Sequence, residues 1–430
     1  MFDIRLIREN PNSVEENLKK RNDPEKLQML KEVIGDDKKY REDLQELEKL
    51  KHDRNVISEE IASIKKSGKD VSAKVKEASE LPKKIKSLEE EVVKLKEKID
   101  YALMRIPNML HESVPVGKDD SENVIVKNWG TPPKFDFEPK NHADILTKLG
   151  LLDEERATKV AGRGFYYLKG SLAMLNQAII KYAVDFLSSR GYVFIYPLAM
   201  LNRAAYQGMV DLEDFENVMY KIEKEDLYMI ATAEHPMGAM YANEIINKKD
   251  LPIKFVGLST NFRKEIGAHG KYTKGLFRVH QFDKVEQFIF CLPEDSWKFH
   301  EELQKNSEEL YEGLGLAYQV VNVCTGDIGP IAAKKYDIMC WMSDGVYREN
   351  GSNSNCTDYQ ARRINIKYRD KEGQVPVGCV HTLNNTALAM SRTMVVLIEQ
   401  NQQKDGTVNI PKVLWPYMNG IKKLEPINKF

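Results

Sequence analysis

The sequence lacks any apolar run near the ~18 residues that a membrane-spanning helix needs, and it has almost no net charge. Its 64 basic and 65 acidic residues leave a formal charge of −1, so any affinity for nucleic acid must come from a local basic patch. The opening residues, MFDIRLIREN, lack the apolar segment of a secretion signal. We therefore expect no membrane span and a cytoplasmic location.

Cysteine is scarce, and the chain has neither an internal repeat nor a low-complexity tract. No cysteine belongs to a C-x-x-C pair or has a histidine at ligand spacing; the five lie at positions 291, 324, 340, 356 and 379. This pattern argues against a disulfide framework and against a sequence-local zinc site.

What the chain has is the length and composition of a globular protein with two domains. It contains 430 residues, of which 42% are hydrophobic and 9% aromatic. That is too long for one ordinary domain and long enough for two, one of them with a large core.

The first hundred residues read as helices. Ser13 with Glu16 forms a capping-box pattern that predicts a short helix over residues 11–21. Two longer segments then carry apolar residues at alternating steps of three and four, on either side of a turn-like SGKD at 67–70. This pattern predicts an antiparallel coiled-coil hairpin, with Pro82 inside its second helix as the expected site of a kink.

The turn end of this hairpin is basic. Residues 62–86 hold eight lysines against three acidic residues, a local charge of +5. Heptad periodicity alone favours a dimerisation rod. A basic end on a near-neutral chain instead fits a probe for a phosphate backbone, although a solvated lysine-rich face has the same composition. The sequence Ile-Pro-Asn at 106–108 then ends the arm, so we place the N-terminal helical domain at residues 1–110 and the second domain at 111–430.

The most informative stretch is 261–288, NFRKEIGAHGKYTKGLFRVHQFDKVEQF. Its apolar flanks and glycine-rich middle predict two antiparallel strands joined by a long loop. Arg263 and Glu265 are two residues apart, so on a strand they would point to the same face. A guanidinium beside a carboxylate suits a ligand with phosphate and an exocyclic amine, such as ATP. A lone R-x-E is more often a charged surface pair.

Two blocks precede this stretch. Residues 162–197 predict a strand, an amphipathic helix that ends near Ser189, a stop at Gly191 and a further strand. Residues 227–237, LYMIATAEHPM, predict a strand that leads into Thr232 and Glu234, a pattern that in isolation is more often a helix cap.

Two blocks follow it. From Tyr347 the chain reads YRENGSNSNC, which alone would be a polar loop before a strand. The segment HTLNNTALAMSRTMVVLIEQ predicts a strand that turns through Asn384 and Asn385 into an apolar helix. Arg392 lies on the first turns of that helix, where a guanidinium requires either an internal carboxylate or an anionic ligand.

In this order the blocks resemble motifs 1, 2 and 3 of class II aminoacyl-tRNA synthetases, in the form found in the seryl-tRNA synthetase family. The N-terminal arm matches as well, and TAEHP and WMSDG look like archaeal-type members. The resemblance implies an α+β fold. Its parts would be an antiparallel sheet flanked by helices, an N-terminal antiparallel coiled-coil arm, and a class II catalytic domain over 111–430.

The resemblance also assigns the nucleotide site. It places Arg263 on the α-phosphate of ATP, Glu265 on the adenine amine and Arg392 on the γ-phosphate. Phe282 would stack on the adenine ring, which the backbone from Val279 onward would line.

A metal position follows from the same comparison. Glu349 and Ser352 match a site that binds Mg²⁺ and ATP, as hard oxygen ligands would. Arg263, Arg392 and Glu349 are thus the predicted catalytic residues.

For the amino acid, the resemblance gives Thr232 and Glu234 the substrate amino group, and it gives Glu286 and Thr386 contacts to L-serine. This is the regular pocket of the family, so we expect no zinc.

Lys271 and Lys274 stand where many members carry arginine. The polar residues of the third block are interpreted as structural: Asn355, Asp358, Gln360 and Arg363.

The activity implied is ATP-dependent attachment of L-serine to tRNA(Ser), and also to tRNA(Sec), through a seryl-adenylate. Motif 1 implies a homodimer. The arm would bind tRNA through five lysines: Lys65, Lys66, Lys69, Lys74 and Lys76.

Three alternatives predict different sequences. A related ligase acting on a carrier protein would lack the full-length arm. A catalytically inactive relative would have lost one of Arg263, Glu265, Glu349 and Arg392. A coiled-coil scaffold would not need the last ~300 residues.

Overall fold

The computed structural model describes residues 1–68, 70–210, 216–265 and 274–427. These form two compact units, Met1–Met109 and Leu110–Phe430. Within the described residues, no helix has both the length and the apolar character required to cross a membrane.

In the described residues of the first unit, all regular secondary structure is helical. Its helices are α1 (Ile4–Glu9), α2 (Pro11–Lys19), α3 (Pro24–Lys66) and α4 (Ser72–Arg105). The predicted cap of the second helix was wrong. Asn10, not Ser13, caps α2, because Pro11 opens the helix one turn earlier and the Asn10 side chain accepts a hydrogen bond from the Ser13 backbone N–H at 3.2 Å.

Helices α3 and α4 pack as an antiparallel coiled coil. Their shared seam includes Leu47, Ile85 and Val92. Three ion pairs link the two helices: Lys39–Glu91 (2.9 Å), Lys51–Glu89 (2.7 Å) and Glu60–Lys74 (2.8 Å). Residues later in α3 pair with residues earlier in α4, so the two helices run antiparallel. Pro82 lies inside α4 without ending it. The predicted antiparallel arm is confirmed.

The second unit is built on an eight-stranded sheet. Its strand order is β1-β10-β11-β12-β15-β9-β8-β4, and the pairs are antiparallel except for β4 with β8. The strands of this sheet are β1 (Val124–Trp129), β4 (Val193–Ile195), β8 (Ile253–Phe262), β9 (Gln281–Cys291), β10 (Tyr318–Asn322), β11 (Lys334–Trp341), β12 (Tyr347–Asn355) and β15 (His381–Ala389).

Short strands form the smaller sheets of this unit. They are β2 (Leu152–Asp153), β3 (Tyr167–Leu168), β5 (Met200–Leu201), β6 (Tyr228–Met229), β7 (Ile245–Asn247), β13 (Lys367–Arg369), β14 (Gly378–Cys379), β16 (Val408–Asn409) and β17 (Lys423–Leu424). Its helices are α5 (His142–Leu149), α6 (Glu154–Ala161), α7 (Ser171–Ser188), α8 (Arg203–Met209), α9 (Glu234–Ala239), α10 (Ser296–Gly313), α11 (Tyr359–Arg363) and α12 (Met390–Asn401).

The long helices α7, α10 and α12 pack on the sheet around one large apolar core. Strand β9 divides its residues between that core and a cavity, because successive strand side chains point to opposite faces. Val285 and Ile289 are buried in the core, whereas Phe282, Lys284 and Glu286 line the cavity. The sheet therefore forms the floor of the site described below.

One sequence prediction fails at β15. Asn384 and Asn385 do not turn the chain; they lie within a strand that runs to Ala389. The neighbouring strands β12 and β9 both pair with these two residues. The buried Asn385 amide also donates to the Leu303 carbonyl (2.6 Å) and to the Ser307 hydroxyl (2.9 Å) on α10. These tertiary partners outweigh the local preference of asparagine for turns.

Candidate active site

A cavity of about 340 Å³ is lined by residues of β9, β12 and β15, among others. Every residue predicted to hold the nucleotide, the metal or the amino acid lines it: Thr232, Glu234, Arg263, Glu265, Val279, Phe282, Glu286, Glu349, Ser352, Thr386 and Arg392. The structure thus brings together side chains that are far apart in the sequence.

Arg263 and Glu265 do not lie on a strand, contrary to the prediction. Strand β8 ends at Phe262, although the Arg263 N–H still donates to the His280 carbonyl at 3.0 Å. The Arg263 Nε donates to the Ala231 carbonyl (3.2 Å), and its Cζ lies 5.3 Å from the centre of the Phe282 ring. The remainder of the predicted loop up to residue 273 lies outside the described residues.

The charges at this end are arranged for an anion. Burial lowers the pKa of Arg263, and the positive charge of Arg392 lowers it further. The two guanidinium groups are therefore close enough in the cavity to repel each other. Glu265 is 3.7 Å from the Arg278 guanidinium. A ligand with several negative charges would relieve the repulsion between Arg263 and Arg392.

Arg392 is the third residue of α12. Its Nη1 donates to the Glu349 backbone carbonyl at 2.8 Å and lies 3.3 Å from the Glu349 carboxylate, and its Cζ is 5.1 Å from the centre of the Phe277 ring. Both alternatives raised by the sequence therefore apply in part. The guanidinium has an internal acid, yet it also borders the open cavity.

Glu349 and Ser352 belong to β12, not to a loop, and an irregularity in the ladder makes them neighbours. Glu349 pairs with Met339 and Gly351 with Ile338, which leaves Asn350 as an extra residue. Residues three apart on a regular strand point to opposite faces, but one bulged residue between them restores the same face. The Ser352 hydroxyl is accordingly 3.5 Å from the Glu349 carboxylate.

These two oxygen donors suit a hard cation such as Mg²⁺. Burial acts to raise the pKa of Glu349, but the cations of Arg392 and Lys335 offset it and leave that pKa below its ordinary value. Across the described ranges, no group of three or more His, Cys, Asp or Glu side chains is placed to hold a metal. A cation here would therefore depend on oxygens from a ligand as well.

Another part of the cavity wall is tightly built and carries the carboxylates of Glu234 and Glu286. Glu286 on β9 and Thr386 on β15 are Cα partners across the ladder. Glu234 begins α9, and the Gln360 amide donates to its carboxylate at 2.7 Å. Burial and the nearby Glu286 carboxylate raise the pKa of Glu234 to about 7. This part of the cavity suits a small cationic group.

Two glycines allow this close packing. A Cβ on Gly257, the strand partner of Glu286, would lie 2.7 Å from the Met237 Sδ of α9. A Cβ on Gly351 would lie 3.1 Å from the Thr386 side chain. Both positions let neighbouring elements approach the cavity floor.

Comparisons with known proteins agree with the motif order. Residues 218–401 match the tRNA synthetase class II core domain (G, H, P, S and T), and residues 1–110 match the seryl-tRNA synthetase N-terminal domain. The serine–tRNA ligase of Methanocella arvoryzae is 54% identical over 425 residues, which cover 99% of this chain and 100% of the relative.

The chain belongs to the seryl-tRNA synthetase family.

Solved structures of this family superpose on the whole chain. The seryl-tRNA synthetase from Pyrococcus horikoshii complexed with ATP has a TM-score of 0.96 and 47% identity, with 100% of both chains covered. The cytoplasmic serine–tRNA ligase from Naegleria fowleri in complex with AMP has a TM-score of 0.89 and 38% identity, with 100% of this chain and 99% of that chain covered. The predicted fold class, family and enzyme class, an aminoacyl-tRNA synthetase, are confirmed.

The lysines predicted to bind tRNA differ in their surroundings. Lys65, Lys66 and Lys76 are exposed, whereas Lys74 is paired with Glu60 at 2.8 Å and Glu77 at 3.4 Å. Lys69 lies outside the described residues. The three exposed lysines are thus better placed for a phosphate backbone than Lys74 is.

Lys271 lies outside the described residues. Lys274 lines a second cavity, of about 1140 Å³, together with Arg163 and Arg278.

Two residues of the site in this synthetase were not predicted from the sequence. Gln360, interpreted as structural, holds Glu234, and Lys284 is buried between Thr232 and Glu286. The signal for Lys284 was present, because Phe282, Lys284 and Glu286 fall at the strand period of two on one cavity face.

Proposed function

We propose that this synthetase attaches L-serine to tRNA(Ser) in two steps. In the first, a serine carboxylate oxygen attacks the α-phosphorus of ATP and the bond to the departing pyrophosphate breaks, which gives seryl-adenylate. In the second, a hydroxyl of the terminal adenosine of the tRNA takes the seryl group and AMP leaves. The observation that carries the proposal is one cavity that is lined by Arg263 and Arg392 and also by Glu234 and Glu286.

The proposed nucleotide contacts follow from charge and shape. Arg263 would hold the α-phosphate, and Arg392 the γ-phosphate. Phe282 would stack on adenine beside Glu265 and Val279, which both line the cavity. No side chain needs to act as a nucleophile, because alignment of two bound substrates and neutralisation of their negative charges supply the acceleration.

We propose Mg²⁺ as the cofactor, held by Glu349 and Ser352. Their oxygens fit its preference, and its bound form would neutralise phosphate charge. We expect no zinc, since the amino-acid end has the polar residues that the family's regular pocket uses. Stoichiometric zinc in the purified protein would overturn this expectation.

For the amino acid, we propose that Glu234 and Thr232 bind near the substrate amino group and that Glu286 and Thr386 contact the serine. A pocket built around a hydroxyl should reject alanine, because its own polar groups would be left unpaired.

The pH dependence of serine use should report Glu234. Because its pKa is raised to about 7, the carboxylate that attracts an ammonium group is lost as the pH falls through that value. We expect kcat/KM for serine in pyrophosphate exchange to fall about tenfold per pH unit below it, with the KM for ATP little changed. The Glu234→Gln variant should have a lower kcat/KM for serine than the wild type, and this kcat/KM should not change with pH in that range. A wild-type profile that is flat to about pH 5 would contradict the assignment.

We propose that the basic tip of the arm binds tRNA(Ser), through Lys65, Lys66, Lys69 and Lys76 with a smaller part for Lys74. The tip lacks aromatic side chains, so it would recognise shape and charge. We propose tRNA(Sec) as a second acceptor on the same basis, and charging assays with both transcripts test it.

We propose a homodimer formed through the motif 1 segment. Strand β4 is an end strand of the large sheet, and large apolar side chains are exposed there and just beyond: Val193 (60%), Phe194 (46%), Tyr196 (74%) and Leu198 (69%). Such an edge is typical of an interface. Sedimentation as a monomer would refute this.

The five free cysteines support a cytoplasmic location, which cell fractionation tests.

The experiment that decides the function is pyrophosphate exchange run separately with serine, threonine, alanine and cysteine. We expect exchange with serine and a kcat/KM at least about 1,000-fold lower with alanine. If serine supports no exchange, or alanine equals it, the proposed function fails.

A further inference from the structure

Lys284 is a buried cation at the amino-acid end of the cavity. Its residue is only 6% exposed, its ammonium forms an ion pair with the Glu286 carboxylate, and it donates to the Thr232 hydroxyl at 2.8 Å. A lysine at this end repels the ammonium group of an amino-acid substrate. Its presence there therefore calls for a function that outweighs this repulsion.

The hydrogen bonds of Thr232 indicate that function. Its Oγ1 accepts from the Lys284 ammonium and from the Glu234 backbone N–H at 3.2 Å. A hydroxyl oxygen has two lone pairs, so both are engaged. The remaining Thr232 hydrogen is directed at the Glu286 carboxylate in a long hydrogen bond of 3.5 Å, which a substrate hydroxyl placed between them would replace; that carboxylate can only accept.

We infer that Lys284 determines the specificity of the pocket for a hydroxyl amino acid, by fixing Thr232 as a donor and Glu286 as an acceptor. A hydroxyl group is the small substituent that both donates and accepts, so it matches this pair, whereas a methyl group matches neither. Lys284 is thus a positioning residue that acts through its two neighbours. This inference rests on the proposed serine activation, and it assigns Thr232 to the substrate hydroxyl instead of the amino group, because a fixed donor cannot bind an ammonium.

A purely structural role for Lys284 makes a different prediction. If the lysine only filled space or held β9 in place, its loss would lower activity with every amino acid by the same factor. The ratio of kcat/KM for serine to that for alanine separates the two roles.

The test is Lys284→Met, which keeps the length of the side chain and removes its charge. We expect kcat/KM for serine in pyrophosphate exchange to fall about 100-fold and that for alanine by less than about threefold, with the KM for ATP within about twofold of wild type. An equal fall for serine and alanine would overturn the role of Lys284 alone. Absence of serine-dependent exchange in the wild type would instead refute the proposed function, and this inference with it.

A second measurement guards against misfolding. If Lys284 acts through both neighbours, then Lys284→Met added to Glu286→Gln should weaken serine binding, measured by calorimetry, by only about tenfold, because one of its two partners is already gone. The double variant also removes the unpaired buried carboxylate, so it should fold even if the single variant does not. A 100-fold further loss in the Glu286→Gln background would overturn the inference.

Discussion

The Arg263→Ala variant is expected to lose serine-dependent pyrophosphate exchange by about 1,000-fold or more and to remain folded. Arg263 lines the cavity with its Nε held by the Ala231 carbonyl at 3.2 Å, so its remaining donors can meet the α-phosphate, where charge shifts as pyrophosphate departs. Removal of one such donor from a dry site typically costs two to three powers of ten, and an arginine at a phosphoryl centre can contribute more. Exchange kinetics and a thermal melt measure both parts of this expectation.

The neighbouring cation provides a matched control. Lys264 does not line the cavity, and its ammonium lies 5.6 Å from the centre of the Tyr220 ring. Lys264→Ala should keep exchange within about threefold of wild type, as a substitution away from the chemistry does. Normal exchange in Arg263→Ala would remove Arg263 from the proposed mechanism.

Shortening the arm should separate the two steps of the reaction. Replacement of residues 66–84 by a short glycine–serine turn removes most of the basic tip, and we expect serine activation to stay within about twofold. Charging of tRNA(Ser) should fall about 100-fold in kcat/KM at moderate salt, since several phosphate contacts are lost together, and its salt dependence should become shallower. Parallel exchange and aminoacylation assays give the comparison.

Point variants refine this prediction. Lys76 is exposed, whereas Lys74 is held by Glu60 and Glu77. Lys76→Ala should therefore weaken tRNA charging more than Lys74→Ala does, because Lys74 must first leave its acidic partners. If tRNA charging survives the shortening unchanged, the lysine-rich tip is only a solvated surface.

Much of this architecture could be predicted because local and tertiary preferences agree. The antiparallel arm follows from its heptads, and the paired strands on either side of residues 263–280 follow from apolar runs around a glycine-rich segment. The order of the sequence blocks then identified the family, because a fold that brings these distant side chains into one site requires them in that order.

The failures have specific physical causes. Asn384 and Asn385 lie in a strand because α10 satisfies a buried asparagine amide. The alignment of Glu349 with Ser352 depends on an extra residue in β12 that no spacing rule reveals. Lys284 was overlooked because a lysine in a strand is ordinarily assigned to the surface, although the alternation with Phe282 and Glu286 pointed inward.

The cross-strand pairing of Glu286 with Thr386 has a mechanical consequence. Glu286 is paired on both sides, with Gly257 and with Thr386, and Thr386 belongs to an interior strand, so the gap between them cannot widen unless strand pairing is broken. The amide of Glu286 should exchange with deuterium only through global unfolding. The amino-acid pocket would then be rigid. A substrate side chain that is too large would be excluded by steric clash with the fixed strands, and the pocket would not expand to admit it.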